Sequence, residues 1–134
     1  MPAPEHVAEV VGEWVDKAEN DLKNAAHTLT MGEKCPTDTV CFHAQQCVEK
    51  YLKARLADGG VAFPKMHDLG ALLNFVLPLE PSWEHLREDL DSLSSRAVEV
   101  RYPGVDSDAE DAHGALEIAL RIRAVVRPSL KLPK

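Results

Sequence analysis

Seven apolar residues, Val7, Val11, Trp14, Ala18, Leu22, Ala25 and Leu29, recur at spacings of three and four along the start of the chain. That period places them on one face of an α-helix, with Asp16, Glu19, Asn20 and Lys23 on the other side. The same period returns four more times between breakers. Pro36, Thr37 and Asp38 offer a second helix start, and the pattern then runs uninterrupted to Gly59-Gly60, which predicts a long helix. After GGVAFPKMH, Asp68 stands where it favours a helix N-terminus, and Leu69, Leu72, Leu73 and Val76 follow before Pro78, so the third helix is short. Pro81-Ser82 opens a fourth, with Trp83, Leu86, Leu90, Leu93, Ala97 and Val100 spaced like a bundle seam up to Pro103-Gly104. Ser107 and Glu110 have capping-box spacing ahead of a fifth, marked by Ala112, Ala115, Leu116, Ala119, Ile122, Arg123 and Val126 and ending at Pro128. No period-2 run, internal repeat or low-complexity tract competes with this pattern. The expected fold is all-α, an antiparallel up-and-down bundle of about five helices, and 134 residues with 45% hydrophobic content suit one domain over residues 1–134. With 5% aromatic residues, its core is expected to be Leu, Val and Ala.

A net charge of −7 has the wrong sign for coating nucleic acid through a broad basic face, although a small basic pocket stays open. Cys35, Cys41 and Cys47 are odd in number and close in sequence, unlike an extracellular disulfide framework, which points to a reducing cytoplasm. No stretch approaches the roughly 20 apolar residues that span a bilayer, and the acidic N-terminus does not resemble a signal segment. A soluble, unprocessed protein is expected.

The stretch CFHAQQCVEKYLKARL (41–56) concentrates polar chemistry. On a helical wheel Val40, Ala44, Cys47, Val48, Tyr51 and Leu52 gather on one side and His43, Gln46, Glu49, Lys50 and Lys53 on the other, the pattern of an amphipathic helix with a solvated polar face. Cys41 and Cys47 fall toward the apolar side, where cysteine packs as a small hydrophobe. His43 and Cys47 are four apart and can share a metal. No Cys-x-x-Cys pair or further ligand at standard spacing completes such a site, so no metal and no cofactor is expected. Phosphate-loop, GxSxG and HExxH motifs are absent, and no catalytic residue is identified.

Four segments in order, AENDLKNAA (18–26), CFHAQQCVEKYLKARL, PKMHDLGALL (64–73) and AVEVRYPG (97–104), resemble the HEPN family of higher eukaryote and prokaryote nucleotide-binding domains. Together they span residues 18–104, most of the length of the chain. The resemblance implies a helical bundle that forms a homodimer. It also implies a cytoplasmic partner of a minimal nucleotidyltransferase, commonly in a toxin–antitoxin pair. In such pairs the HEPN member cleaves RNA and the nucleotidyltransferase restrains it, in some systems by adding AMP to a tyrosine.

Ribonuclease members carry an Arg, four to six residues, then a His. Here no arginine is followed by histidine at that spacing; the nearest approach is Arg96, four residues, then Arg101 followed by Tyr102. Arginine keeps its proton near neutrality and is a poor general base. An Arg96–Arg101 pair beside Tyr102 can instead hold phosphate and stack a base. Equally, Arg101 can pair with Glu99 or Asp106 while Tyr102 closes the bundle end. The candidate nucleotide- or RNA-binding residues are Arg96, Arg101, Tyr102, His43, Lys50, His67 and Asp68, with His67-Asp68 also readable as a plain helix start. The leading expectation is a nucleotide- or RNA-binding regulatory module acting with a nucleotidyltransferase. The alternatives are a metal-independent ribonuclease toxin with a departed motif and a non-catalytic dimeric interaction protein.

Overall fold

The computed structural model describes residues 3–99 and 107–134. Five α-helices are present among them: α1 (Pro4–Leu29), α2 (Thr37–Asp58), α3 (Leu69–Val76), α4 (Arg87–Glu99) and α5 (Ala109–Ser129), with 3₁₀ turns at Gly32–Lys34 and Pro81–Leu86. Pairings give the directions. Asp21 meets His43 and Glu19 meets Tyr51, so α1 and α2 are antiparallel. Arg123 reaches back to Glu19 from α5, which also runs antiparallel to α1. After α2 the chain doubles back along it, and α3 and α4 pack as a short antiparallel pair. This all-α bundle is the architecture expected from the sequence.

The helix ends follow local chemistry. Pro4 occupies the first turn of α1, where its missing N–H costs nothing. α2 stops at the expected glycines: Gly60 takes φ 68°, the Gly60 N–H donates to Ala57 O, and the Val61 N–H donates to Leu56 O at 2.9 Å. That pair of bonds is a Schellman motif, and its left-handed position favours glycine. Asp68 caps α3 by accepting from the Ala71 N–H at 3.0 Å. The capping box of α5 is displaced by one residue from the expected Ser107–Glu110. Asp108 accepts from the Asp111 N–H at 2.8 Å, and Asp111 accepts from the Asp108 N–H at 3.2 Å. Ser107 is engaged elsewhere, because its hydroxyl donates to Asp38 and its carbonyl accepts from the Thr37 hydroxyl at 3.1 Å. The fourth apolar run also divides. Its first part, Pro81–Leu86, winds as 3₁₀ helix, and α4 proper begins at Arg87.

α2 is the central helix and touches α1, α3, α4 and α5. Val48, Leu52 and Leu56 pack with Leu72, Leu73, Leu90, Leu93 and Ile122 into a core of the expected aliphatic kind. The expected solvated face of α2 is corrected by this position. Twelve of its 22 residues are buried, and Glu49 and Lys53 are among them at 3% and 5% exposure. A helical wheel separates polar from apolar residues but does not show that α1 and the loop at 59–68 cover the polar side.

Candidate functional site

Asp21 lies on the flank of α1's apolar stripe and is itself buried at 8% exposure. Its Oδ1 accepts from His43 Nδ1 at 2.8 Å, and its Oδ2 accepts from the Lys50 ammonium. His43 and Lys50 stand seven residues apart on α2, two turns of one face, so a single carboxylate from α1 can reach both. The carboxylate partner assigns the proton to Nδ1 and leaves Nε2 as the outward nitrogen. Both side chains keep about a fifth of their surface, at 22% for His43 and 21% for Lys50. The arrangement holds an imidazole and an ammonium in fixed positions at the α1–α2 surface. Such a pair can receive an anion and exchange a proton with it.

A second cluster secures the loop after α2. Glu49 Oε2 accepts from Lys53 Nζ at 3.1 Å, its Oε1 accepts from His67 Nδ1 at 3.0 Å, and the His67 carbonyl accepts from Gln45 Nε2 at 3.0 Å. The Lys53 ammonium lies 5.5 Å from the Trp14 ring centre and 6.0 Å from that of Phe63. His67 therefore ties the loop to α2 while its ring stays largely exposed, and its neighbour Asp68 is the α3 cap. The structure brings His43 and Lys50 together and gives His67 and Asp68 local structural partners. Arg96 lies on the last turn of α4, and Arg101 and Tyr102 lie outside the described residues.

The third cluster joins α1, α2 and α5. Glu19 accepts from Arg123 Nε at 2.9 Å and Nη2 at 2.7 Å, and from the Tyr51 hydroxyl at 2.7 Å, while Arg127 donates to the Tyr51 oxygen at 3.0 Å. The Arg123 hydrogen bonds hold the Glu19 carboxyl below its ordinary range, and the same contact raises the guanidinium further. Burial first, then Glu19, pushes the Tyr51 phenol up to about 12, so it remains a donor at neutral pH. Burial, with the charges of Glu19 and Asp21, pushes the Cys47 thiol up to about 12. A thiol so raised carries almost no thiolate near neutrality. Native protein at pH 7.5 is therefore expected to show one thiol, Cys35, reacting with Ellman's reagent, and all three reacting in urea. Rapid reaction of Cys47 in the folded protein would contradict this. Among the described residues no three histidine, cysteine, aspartate or glutamate side chains gather as a metal-ion site.

Sequence reasoning singled out His43 and Lys50 but not their carboxylate. It also left out Glu19, Tyr51, Arg123 and Arg127. One signal for Asp21 was available: an acid at the edge of the Ala18, Leu22, Ala25 stripe, where an unpaired charge is costly.

The HEPN domain family model matches residues 11–129. The chain belongs to the HEPN family. A Methanocaldococcus jannaschii protein named as a "putative toxin" is 31% identical over 134 aligned residues, covering 88% of this chain and 86% of that protein. The crystal structure of an archaeal HEPN homologue superposes with a TM-score of 0.70 at 26% identity, covering 90% of this chain and 97% of that one. The HEPN bundle therefore accounts for α1 to α5. The toxin-named relative supports a toxin-like HEPN module. No helix among the described residues is long and apolar enough to cross a membrane.

Proposed function

We propose that this HEPN chain is the nucleotide- or RNA-binding member of a toxin–antitoxin-type pair. In this reading it works in the cytoplasm as a homodimer and is restrained by a minimal nucleotidyltransferase. The observation that carries the binding reading is the Asp21–His43–Lys50 cluster, which fixes an ammonium donor and an imidazole on one helix face. The pairing reading rests on similarity to the toxin-named relative. Asp21 acts as a positioning residue: it holds both side chains in place and does not itself meet the ligand. Arg96, Arg101 and Tyr102 are proposed to add a second cationic and stacking contact.

Titration of AMP and of a short fluorescein-labelled single-stranded RNA tests this directly. Lys50→Ala is expected to weaken binding about tenfold, the size of one lost charge-assisted phosphate contact, and His43→Ala to weaken it by loosening the cluster. Affinity should fall as salt rises. Unchanged affinity in both variants, with unchanged thermal stability, would remove this cluster from the site. Co-purification with a nucleotidyltransferase encoded next to this chain tests the partnership separately.

A further inference from the structure

Between residues 39 and 50, seven residues of α2 are buried and five keep part of their surface: Thr39, Phe42, His43, Gln46 and Lys50. At 100° per residue these five fall within about 100° of one another, so they form one stripe along the helix. The stripe contains His43 and Lys50 and adds an aromatic ring and an amide, two groups that the Asp21 cluster does not use. Phe42, Gln46 and Lys50 follow at intervals of four residues, about 6 Å apart along the axis.

The amide has one orientation. Glu49, paired with Lys53, and the His67 carbonyl are acceptors, so Gln45 turns its Nε2 toward both, at 3.4 and 3.0 Å. Its Oε1 is then what it offers Gln46, and Gln46 donates to it from Nε2 at 2.8 Å. Gln46 keeps its Oε1 and its second N–H for a ligand, since that oxygen accepts no hydrogen bond among the described residues. The buried Glu49 carboxylate thus sets the direction of an amide it does not touch. The ring is held as well. Asp21 fixes His43, whose imidazole meets the Phe42 ring at 78° with centres 5.3 Å apart, so His43 braces the phenyl without stacking flat on it.

A ring, a preset acceptor–donor edge and an ammonium in line match the parts of one nucleotide: base face, base edge and phosphate. In a duplex the base faces stay stacked on their neighbours, so a base that lies on Phe42 is unpaired. An amide pairs with an edge that sets a donor beside an acceptor, as adenine does with its 6-amino group and N7. We propose that Phe42 and Gln46 are the base-binding half of the site, Phe42 stacking an unpaired adenine and Gln46 Oε1 accepting from its 6-amino group. This assignment rests on the reading that Lys50 holds the phosphate.

Calorimetric titration of the whole chain with ribose 5-phosphate, purine riboside 5′-monophosphate and AMP separates the two halves. AMP should bind at least about tenfold tighter than ribose 5-phosphate, the size of one stacked base. It should bind about fivefold tighter than purine riboside monophosphate, which lacks the 6-amino group. Phe42→Leu, which keeps apolar bulk and removes the ring, should bring AMP down to ribose 5-phosphate, while Phe42→Trp should retain the preference. Gln46→Leu should make AMP and purine riboside monophosphate bind equally and leave ribose 5-phosphate unchanged. Lys50→Ala should weaken all three by the same factor. If Lys50→Ala weakens ribose 5-phosphate but AMP binds no tighter than that sugar phosphate, the base assignment is overturned and the phosphate reading stands. An AMP preference over ribose 5-phosphate that survives Phe42→Leu, or one over purine riboside monophosphate that survives Gln46→Leu, overturns it too. No binding of any of the three overturns both readings.

Discussion

Glu49→Leu will destabilise the HEPN bundle by about 3–5 kcal/mol, the cost of leaving a buried charge without its partner. Glu49 and Lys53 side chains are 4% and 6% exposed, and their 3.1 Å contact is one turn of α2 deep in the bundle. With leucine at 49, the Lys53 ammonium keeps its ring contacts to Trp14 and Phe63, which are worth much less than a carboxylate. Gln45 and His67 lose an acceptor in the same step. For a chain of this size the loss corresponds to a melting temperature lower by about 10–20 °C. The double variant Glu49→Leu/Lys53→Met separates pair from burial, since replacing both charges by apolar side chains of similar size is often neutral or stabilising. Urea unfolding should place the double variant within about 1 kcal/mol of the parent, or above it, at unchanged slope. A single variant that loses less than about 1 kcal/mol would mean that water reaches Lys53 in the native state.

This pair also shows where sequence reading stops. The five helices, the glycine stop of α2 and the short α3 before Pro78 were legible because each is set by spacing and by residues that act on their own neighbours. Glu49 and Lys53 were legible as polar residues on one side of a helix. What covers that side depends on Trp14 and on the loop through Phe63 and His67, contacts 10 to 39 residues away that no periodicity encodes. The capping box was displaced for a similar reason. Ser107 has capping chemistry, but Thr37 and Asp38 engage it from 70 and 69 residues away, and Asp108 takes the cap. At the candidate site, His43 and Lys50 could be named because their side chains carry the chemistry of phosphate recognition. Asp21 was part of the AENDLKNAA segment, and its place at the edge of the apolar stripe marked it as an acid in need of a partner without saying which partner. Only the α1–α2 register turns Asp21 toward His43 and Lys50 and Glu19 toward α5.

Glu19→Gln will cost about 1.5–3 kcal/mol at pH 7, because the carboxylate accepts three charge-assisted or phenolic hydrogen bonds from two other helices. The lower part of that range applies to the extent that water replaces them, since the side chain is 24% exposed. Glutamine keeps the shape and one acceptor, so the loss reports charge and not a cavity. Its pH dependence has a definite sign. Arg123 holds the folded carboxyl below its ordinary value of 4.5, so folding favours the ionised form. Stability from this group is therefore complete above pH 4.5 and is lost as pH falls through the lower folded value. The difference between parent and Glu19→Gln, measured by urea unfolding, should be flat from pH 7 to about pH 5 and should shrink below that. Other carboxyls titrate in both proteins and cancel. Tyr51 keeps its proton throughout, so it adds no pH dependence here. A difference that stays constant down to pH 3 would show that Glu19 contributes packing alone, and that Arg123 is held to α1 by something other than this carboxylate.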